Sequence, residues 1–414
     1  MENITEKFVD YLFRKSETIT NKILSKAVDC KKDYMSVTCA GARKNRSHWE
    51  RFLQNMAQGK AELFGYNKRI DGKTAALVNG FNAHSLELDD GQRFAMIHLG
   101  ASIISAINAA QNEQNFSDND YKIGIIMGYE AACRVAIAMQ PSHKNRGFHA
   151  AGTCGTIGSA VGTAFAMGMD NQQLKRVITI AAGSSAGMLE IQAQGSEVKP
   201  FNVGRAAMDG LTAAYMGLTD FKLPDDMIGG ERGFFKTFAE SYDDSKLTKD
   251  TDYYEIERIY VKPYASCRHS HSAVEAAIRI HNDIDAKKIK SVIVETYNLG
   301  VKGHNHTDIQ GIASAKISTP YAVAAALMYG KADLSVFEPL DEKIIELTKK
   351  VKLVEIPELT EESPKKRIAI VTVTTIDNNT IQSRVDYAKG DPENPMTEEE
   401  LSMKTQQLLA YMAD

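Results

Sequence analysis

The sequence predicts a mainly α protein, with a large helical domain followed by a smaller α+β domain. Three observations lead there. Apolar residues recur at helical spacing through the first stretch of chain, to about residue 255. Beyond it, runs of alternating, β-branched residues appear. At 414 residues the chain is also longer than one simple core organises, so length favours two or three domains.

Taken in order, ITEKFVDYLF sets Ile4, Phe8, Leu12 and the adjacent Val9 and Phe13 on one helical face. The same periodicity returns in NKILSKAVDCKKDYMSV, KTAALVNGFNAHSLEL and GASIISAINAAQN. In GTCGTIGSAVGTAFAMGM, Gly152, Gly155, Gly158 and Gly162 stand three or four residues apart, a spacing that lets helix backbones approach closely. A phosphate loop is the competing reading, but no strand pattern precedes it and neither GxGxxG nor GxxxxGK is present.

After residue 255 the runs KSVIVETYN, KRIAIVTVTTI and TIQSRVDYA read as half-buried strands, the last two joined by a DNN turn. Helical segments SHSAVEAAIRIHNDI and SAKISTPYAVAAALMYG interleave with them. A capping box, Thr397 to Glu400, opens a final helix. The domain expectation is 1–255 helical, 256–394 α+β, and 395–414 returning to the helical domain. There are no internal repeats and no low-complexity linker.

Composition narrows the function. With 49 basic against 53 acidic residues and a net charge of −4, nothing suggests general affinity for nucleic acid or an anionic membrane. No apolar run has the length of a membrane span, and MENITEKFVDYLFRKSE lacks the basic start and apolar core of a signal peptide, so a cytoplasmic protein is expected. Cys30, Cys39, Cys133, Cys154 and Cys267 are odd in number and have no CxxC spacing, which argues against a disulfide framework or a structural zinc site.

Four segments are polar out of keeping with their surroundings. HSLELDDGQRFAMIHLG crowds His84, Glu87, Asp89, Asp90, Arg93 and His98 directly behind a helical pattern. Any one of these serves equally as a polar helix end; the cluster is harder to dismiss. In NRGFHAAGTCGTIG, His149 sits at the mouth of the glycine-rich helix, where the dipole disfavours its cation and keeps it neutral, as suits a proton acceptor or a simple cap. GSEVKPFNVGRAAMDG puts Lys199 on a loop feeding a helix, either as a surface lysine or as an anion clamp aided by the helix N-terminus. VKPYASCRHSHSAVEAA gathers Lys262, Cys267, Arg268, His269 and His271 ahead of an amphipathic helix. The pairs His269/His271 and His304/His306 form only a weak metal signature, and an anion site edged by histidine is more economical. Lys316 and Tyr321 open a further helix, where Tyr321 suits a core position as readily as a chemical one.

Cations, neutral histidines and paired acids suit one class of reaction. Removing a proton from a carbon beside a carboxylate piles charge on a group already negative, so cations must neutralise it while a base waits near neutrality. Lysine, arginine and histidine supply the cations, and His98 or His149 the base. A second histidine or Tyr321 returns a proton, while Asp89 and Asp90 orient a histidine, hold Arg93, or serve as a helix-terminal anchor.

At these segments the chain resembles the MmgE/PrpD family, which includes 2-methylcitrate dehydratase, cis-aconitate decarboxylase and iminodisuccinate epimerase. The motifs NGFNAHSLELDDGQR…HLG, GFHAAGTCGTIGSAVG, KPFNVGRAAMDGL, KPYASCRHSHSAVEAA, AKISTPYAVAAAL and YAKGDPENPMTEEEL stand in the family's order and span almost the whole chain. The resemblance implies a large all-helical domain, a smaller α+β lid and a homodimer. By motif it implies catalytic roles for His98, His149, Lys199, His271 and Tyr321, and substrate contacts from Asp89, Asp90, Arg93 and Arg268. It implies no metal and no organic cofactor. The chain departs from the dehydratase and decarboxylase branches in GQRFAMIHLG: no threonine follows the acidic pair, and Leu99 replaces a proline.

The leading expectation is a cofactor-independent lyase acting on a small di- or tricarboxylic acid, by dehydration or decarboxylation. An isomerase of the iminodisuccinate type uses the same residues, and a carboxylate-binding protein without chemistry is the third reading.

Overall fold

Asn3, Asp71, Ser117 and Asp170 each cap the start of a helix in the first part of the chain with a side-chain oxygen. In the computed structural model, which describes residues 3–413 apart from the side chains at 194, 195, 412 and 413, helix α1 (Ile4–Ser16) starts at Asn3, whose side chain accepts from the Glu6 amide. It buries Phe8, Val9, Tyr11 and Leu12. There follow α2 (Asn21–Leu53), a small hairpin of β1 (Ala61–Leu63) and β2 (Lys68–Ile70), then α3 (Gly72–His84), α4 (Gly100–Gln114) and α5 (Asp118–Met139). A single turn, α6 (Ser142–Asn145), leads to α7 (Ala150–Ala166), α8 (Asn171–Ser184), α9 (Phe201–Met216) and the short α10 (Phe234–Phe238). The KTAALVNGFNAHSLEL pattern is helical only as far as His84; the polar stretch after it is a loop.

The chain divides into two compact units. One comprises Met1–Ile191, Val198–Ile259 and Leu401–Asp414; the other comprises Gln192–Glu197 and Tyr260–Glu400. At the centre of the helical unit lies α7, packed against α4, α5, α8 and α9. Its glycines are contact points. A Cβ on Gly158 would lie 2.8 Å from the Gly128 carbonyl oxygen of α5, and one on Gly162 would lie 2.7 Å from that of Gly124. Glycine is required there because a neighbouring backbone occupies the side-chain volume.

The second unit holds α11 (His271–His281), β3 (Ile289–Thr296), α12 (Asn298–Val301), α13 (Ile312–Ile317), α14 (Thr319–Tyr329), α15 (Glu342–Thr348), β4 (Val351–Glu355), α16 (Pro357–Glu362), β5 (Ala369–Thr375) and β6 (Thr380–Val385). Its sheet runs β4-β3-β5-β6, with β3 parallel to β4 and antiparallel to β5. β5 and β6 form a hairpin turning through Asn378, whose φ of 63° suits the turn. β4 is not among the strands read from sequence. It is five residues long, and its parallel pairing with β3 leaves no turn signal.

The last helix, α17 (Glu398–Ala413), opens on the expected capping box: the Thr397 amide donates to Glu400 Oε2 at 2.7 Å and the Glu400 amide to Thr397 Oγ1 at 3.1 Å. Further on, Lys404 Nζ donates to Asp33 Oδ1 at 2.5 Å and to the Leu88 carbonyl at 2.9 Å, within the helical unit. Among the described residues no helix is long and apolar enough to cross a membrane. The α5–α7 contact is testable: Gly158→Val should cost about 3 kcal/mol of unfolding free energy by overpacking, read as a lower urea midpoint at unchanged slope.

Candidate active site

One loop carries most of the candidate groups of the helical unit. It runs from the end of α3 at His84 to the start of α4 at Gly100, and two of its non-glycine residues, Glu87 (φ 57°) and Met96 (φ 50°), are held in the left-handed region. Gln92 braces it. Its backbone pairs with Ile97 in both directions, its side-chain oxygen accepts from the Ala95 amide, and its side-chain nitrogen donates to buried Glu255 at 2.7 Å.

Asp90 closes the loop onto α4. Oδ1 accepts from the amides of Leu99 (3.3 Å) and Gly100 (2.9 Å), and Oδ2 accepts from the Tyr129 hydroxyl at 2.5 Å. Three donors thus satisfy a carboxylate that is buried, and burial pushes its pKa up to about 6 despite them. These three donors are the arrangement of a helix-terminal anchor, one of the roles read for Asp90 from sequence.

Asp89 faces histidines. Its Oδ2 lies 2.7 Å from His84 Nδ1 and 3.3 Å from His98 Nδ1. His98 Nδ1 is also 2.9 Å from the Asp90 carbonyl oxygen, so this nitrogen faces two acceptors and carries the hydrogen; in the neutral ring the lone pair is then on Nε2. The His84 ring stands edge-on to that of His98 with centroids 4.8 Å apart, and 5.9 Å from that of His149.

His149 caps α7 with extended backbone. The Asn202 amide nitrogen donates to the Met188 carbonyl at 3.2 Å, which fixes the orientation of that amide, and it lies 3.3 Å from His149 Nδ1. Nδ1 therefore accepts and Nε2 bears the hydrogen. Burial, reinforced by the Lys199 charge, drives the His149 pKa well down, so the ring is neutral at pH 7. The causes are burial and neighbouring charge, where the sequence reading invoked the helix dipole; Asn202 occupies the lone pair, and the remaining nitrogen is a donor.

Lys199, just ahead of α9, forms an ion pair with Glu87, both side chains being largely buried. Arg93 is buried, its guanidinium 5.1 Å from the centre of the Phe94 ring. His84, Asp89 and His98 are the cluster of metal-type donors among the described residues, with one atom from each within 4.8 Å of the others. Asp89 Oδ2 stands at hydrogen-bond distance from the Nδ1 of both rings.

The second unit has its own polar cluster. Arg268 Nη1 donates to His271 Nδ1 at 2.8 Å, and Nη2 pairs with Asp391 at 2.6 Å. His271 Nε2 in turn lies 3.1 Å from the Ser266 carbonyl. Arginine can only donate, so His271 accepts on Nδ1 and donates from Nε2, a neutral form that burial and the Arg268 charge favour by lowering its pKa. Fully buried and bonded at both nitrogens, His271 orients Arg268 and does not present a titrating nitrogen. Tyr321, near the start of α14, is buried. Its hydroxyl donates to the Val336 carbonyl at 2.9 Å and its ring packs on Phe337, so the core reading of this residue fits the structure. His269 binds the Tyr297 hydroxyl and stacks on His304, while His306 Nε2 lies 3.1 Å from the Ser314 carbonyl.

Sequence reasoning gave no role to Tyr129, Asn202 or His84. Tyr129 and Asn202 lie far along the chain from their partners, and no local pattern marks them. His84 carried a signal, as a histidine five residues before an aspartate at the end of a helix.

A mainly helical unit is followed by a unit with a small mixed sheet, and histidines, a lysine and paired acids gather in the first. The MmgE/PrpD N-terminal domain matches residues 7–246 and the MmgE/PrpD C-terminal domain residues 264–414. The chain belongs to the MmgE/PrpD family. Among its relatives, the cis-aconitate decarboxylase-like protein oryM of Aspergillus oryzae is 24% identical over 389 residues, covering 86% of this chain and 80% of that protein. A cis-aconitate decarboxylase of Aspergillus terreus is 23% identical over 438 residues (96% and 87%), and that of Homo sapiens 24% over 353 residues (81% and 72%). These similarities support an enzyme of the lyase type.

Two predictions follow from the Asp90 anchor. Tyr129→Phe removes a donor from a buried carboxylate and should lower unfolding free energy by about 1.5–3 kcal/mol in urea denaturation. Because the folded-state pKa of Asp90 is raised, the folded chain holds this proton more tightly than the unfolded chain does. Stability from this group is therefore greatest below about pH 4, falls as pH rises to about 6, and is level above that. Relative to Asp90→Asn, the wild type should lose on the order of 3 kcal/mol across that window.

Proposed function

We propose that the chain is a cofactor-independent lyase that dehydrates or decarboxylates a small di- or tricarboxylic acid by proton transfer at a carbon beside a carboxylate. The observation that carries this is the pair of oppositely set imidazoles in one buried cluster: His98 with its lone pair on Nε2, and His149 neutral with its hydrogen on Nε2. One can take a proton while the other gives a hydrogen bond to oxygen.

In dehydration, His98 Nε2 takes the proton from the carbon beside the carboxylate. The electron pair left behind becomes the carbon–carbon double bond as the C–O bond breaks, and the hydroxyl leaves as water with the proton that His98 has taken, which restores the base. In decarboxylation, His98 first takes a proton from solvent on Nε2; the pair from the breaking C–CO2 bond stays on the substrate as carbon dioxide leaves, and His98 gives that proton to the carbon and regains its lone pair. Charge accumulating on the substrate carboxylate meets the Lys199 ammonium, which has hydrogens beyond the one given to Glu87, and the His149 N–H. Asp89, on the far side of the His98 ring, stabilises the imidazolium formed. Arg268, held by His271 and Asp391, is a candidate carboxylate contact of the second unit. The names of the relatives favour decarboxylation among these reactions. A second reading, an iminodisuccinate-type isomerase, draws on the departure of GQRFAMIHLG from the dehydratase and decarboxylase pattern, a segment in which Arg93 is buried.

Proton NMR in deuterium oxide with citrate, 2-methylcitrate, cis-aconitate and iminodisuccinate tests the proposal. New olefinic signals or released carbon dioxide establish a lyase; deuterium entering an unchanged skeleton replaces it with the isomerase, and no change in any acid removes the substrate class. On an accepted substrate, His98→Ala, His149→Ala and Lys199→Ala should each lower kcat about a hundredfold or more. His149→Gln, which keeps a donor, should lose less than His149→Ala. Chelators should leave the rate unchanged.

A further inference from the structure

We infer that Lys404, on the last helix, is a positioning residue of the candidate site: its ammonium holds the Leu88 carbonyl and so fixes the backbone that presents Asp89 to the histidines. This deepens the lyase reading, and its effect on rate rests on that reading.

Lys404 stands where an amphipathic helix would carry an apolar residue. Leu401, Lys404 and Leu408 follow one another at spacings of three and four on the inward face of α17, and Lys404 is only 6% exposed. An ammonium so far from water is costly unless it is paired and its hydrogens are used. Nζ meets both conditions, with Asp33 Oδ1 of α2 at 2.5 Å and the Leu88 carbonyl oxygen at 2.9 Å. For stability alone, apolar side chains of similar size commonly match or better a buried ion pair. The Leu88 carbonyl is different, because only a donor can hold it.

Leu88 is buried and stands between two residues on which the site depends. Before it, Glu87 has left-handed backbone at φ 57°; after it, Asp89 places Oδ2 2.7 Å from His84 Nδ1 and 3.3 Å from His98 Nδ1. Left-handed backbone at a non-glycine residue persists where its surroundings hold it. Lys404 supplies such a hold one residue further on, and it acts on the main chain whatever else the Asp89 side chain binds. A second effect is electrostatic. Asp33, Asp89 and Asp90 line one cavity of about 10 Å3, room for a single water. Burial, and after it the neighbouring carboxylates, push the pKa values of Asp33 and Asp90 up; at Asp33 the Lys404 ammonium, and more weakly Lys26, opposes them. The same cation therefore steadies the loop and offsets the acid packed behind it.

The test compares Lys404→Met, Asp33→Asn and the double variant Asp33→Asn/Lys404→Met. Methionine keeps a long side chain and loses the donor, and asparagine keeps an acceptor for the ammonium. The double variant removes both charges of the buried pair, which separates positioning from folding. The chain has two Leu–Asp steps, Leu88–Asp89 and Leu340–Asp341. With leucine labelled by 13C at the carbonyl and aspartate by 15N, each step gives one signal in a carbonyl-to-amide NMR spectrum of the full chain, and Leu340→Met assigns them. In both chains that carry Lys404→Met the Leu88–Asp89 signal should move, the carbonyl carbon upfield as its hydrogen bond is lost. On an accepted substrate, kcat of the double variant should fall about tenfold below that of Asp33→Asn, with KM changed less than about threefold. An unmoved Leu88–Asp89 signal in Lys404→Met, or in the double variant should the single one not fold, overturns the inference, as does a double variant as active as Asp33→Asn. The NMR signal needs no substrate, so failure of the proposed reaction and failure of this inference are separate results.

Discussion

The attachment of Asp90 to the start of α4 and to Tyr129 is the contact on which the rest of the candidate site depends. A loop with two non-glycine residues in the left-handed region would not keep its shape unaided, and a buried carboxylate with three protein donors supplies the constraint. The carbonyl of the same residue orients His98, and its neighbour Asp89 lies between two imidazoles. Paired acids of identical type take separate roles because one faces amides and a phenol while the other faces histidines.

Burial shapes the electrostatics as much as the charges do. His84 and His149 are kept uncharged chiefly by desolvation, with the Lys199 ammonium pushing the same way. A cluster of three imidazoles beside a lysine would otherwise repel itself in cationic form. The Glu87 carboxylate offsets the lysine charge. In the second unit the same logic makes His271 a neutral link between Arg268 and the backbone.

The small residues of α7 belong to this account. Its glycines let α5 approach to backbone contact, and α5 carries Tyr129, the phenol that holds Asp90. Helix packing that looks remote from chemistry thus sets the position of the loop. A bulkier α7 would move α5, Tyr129 and the anchor together.

What the sequence by itself determined was local: helical and strand periodicity, the Thr397–Glu400 capping box, the DNN turn, the purpose of the glycine spacing, and the family written in ordered motifs. It gathered His84, Asp89, Asp90 and His98 because one loop carries them. Only the tertiary structure could divide their roles, since these depend on partners far away in the chain: Tyr129 for Asp90, Asn202 for His149, Glu87 for Lys199. Strand β4 escaped the sequence because parallel pairing leaves no turn to read, and Tyr321 and His271 read as chemical groups until their buried partners were in view. Periodicity and capping act over a few residues and are legible in order. Tautomer, desolvation and ion pairing are set by whatever folding brings within about 3 Å of an atom, and no spacing along the chain records that.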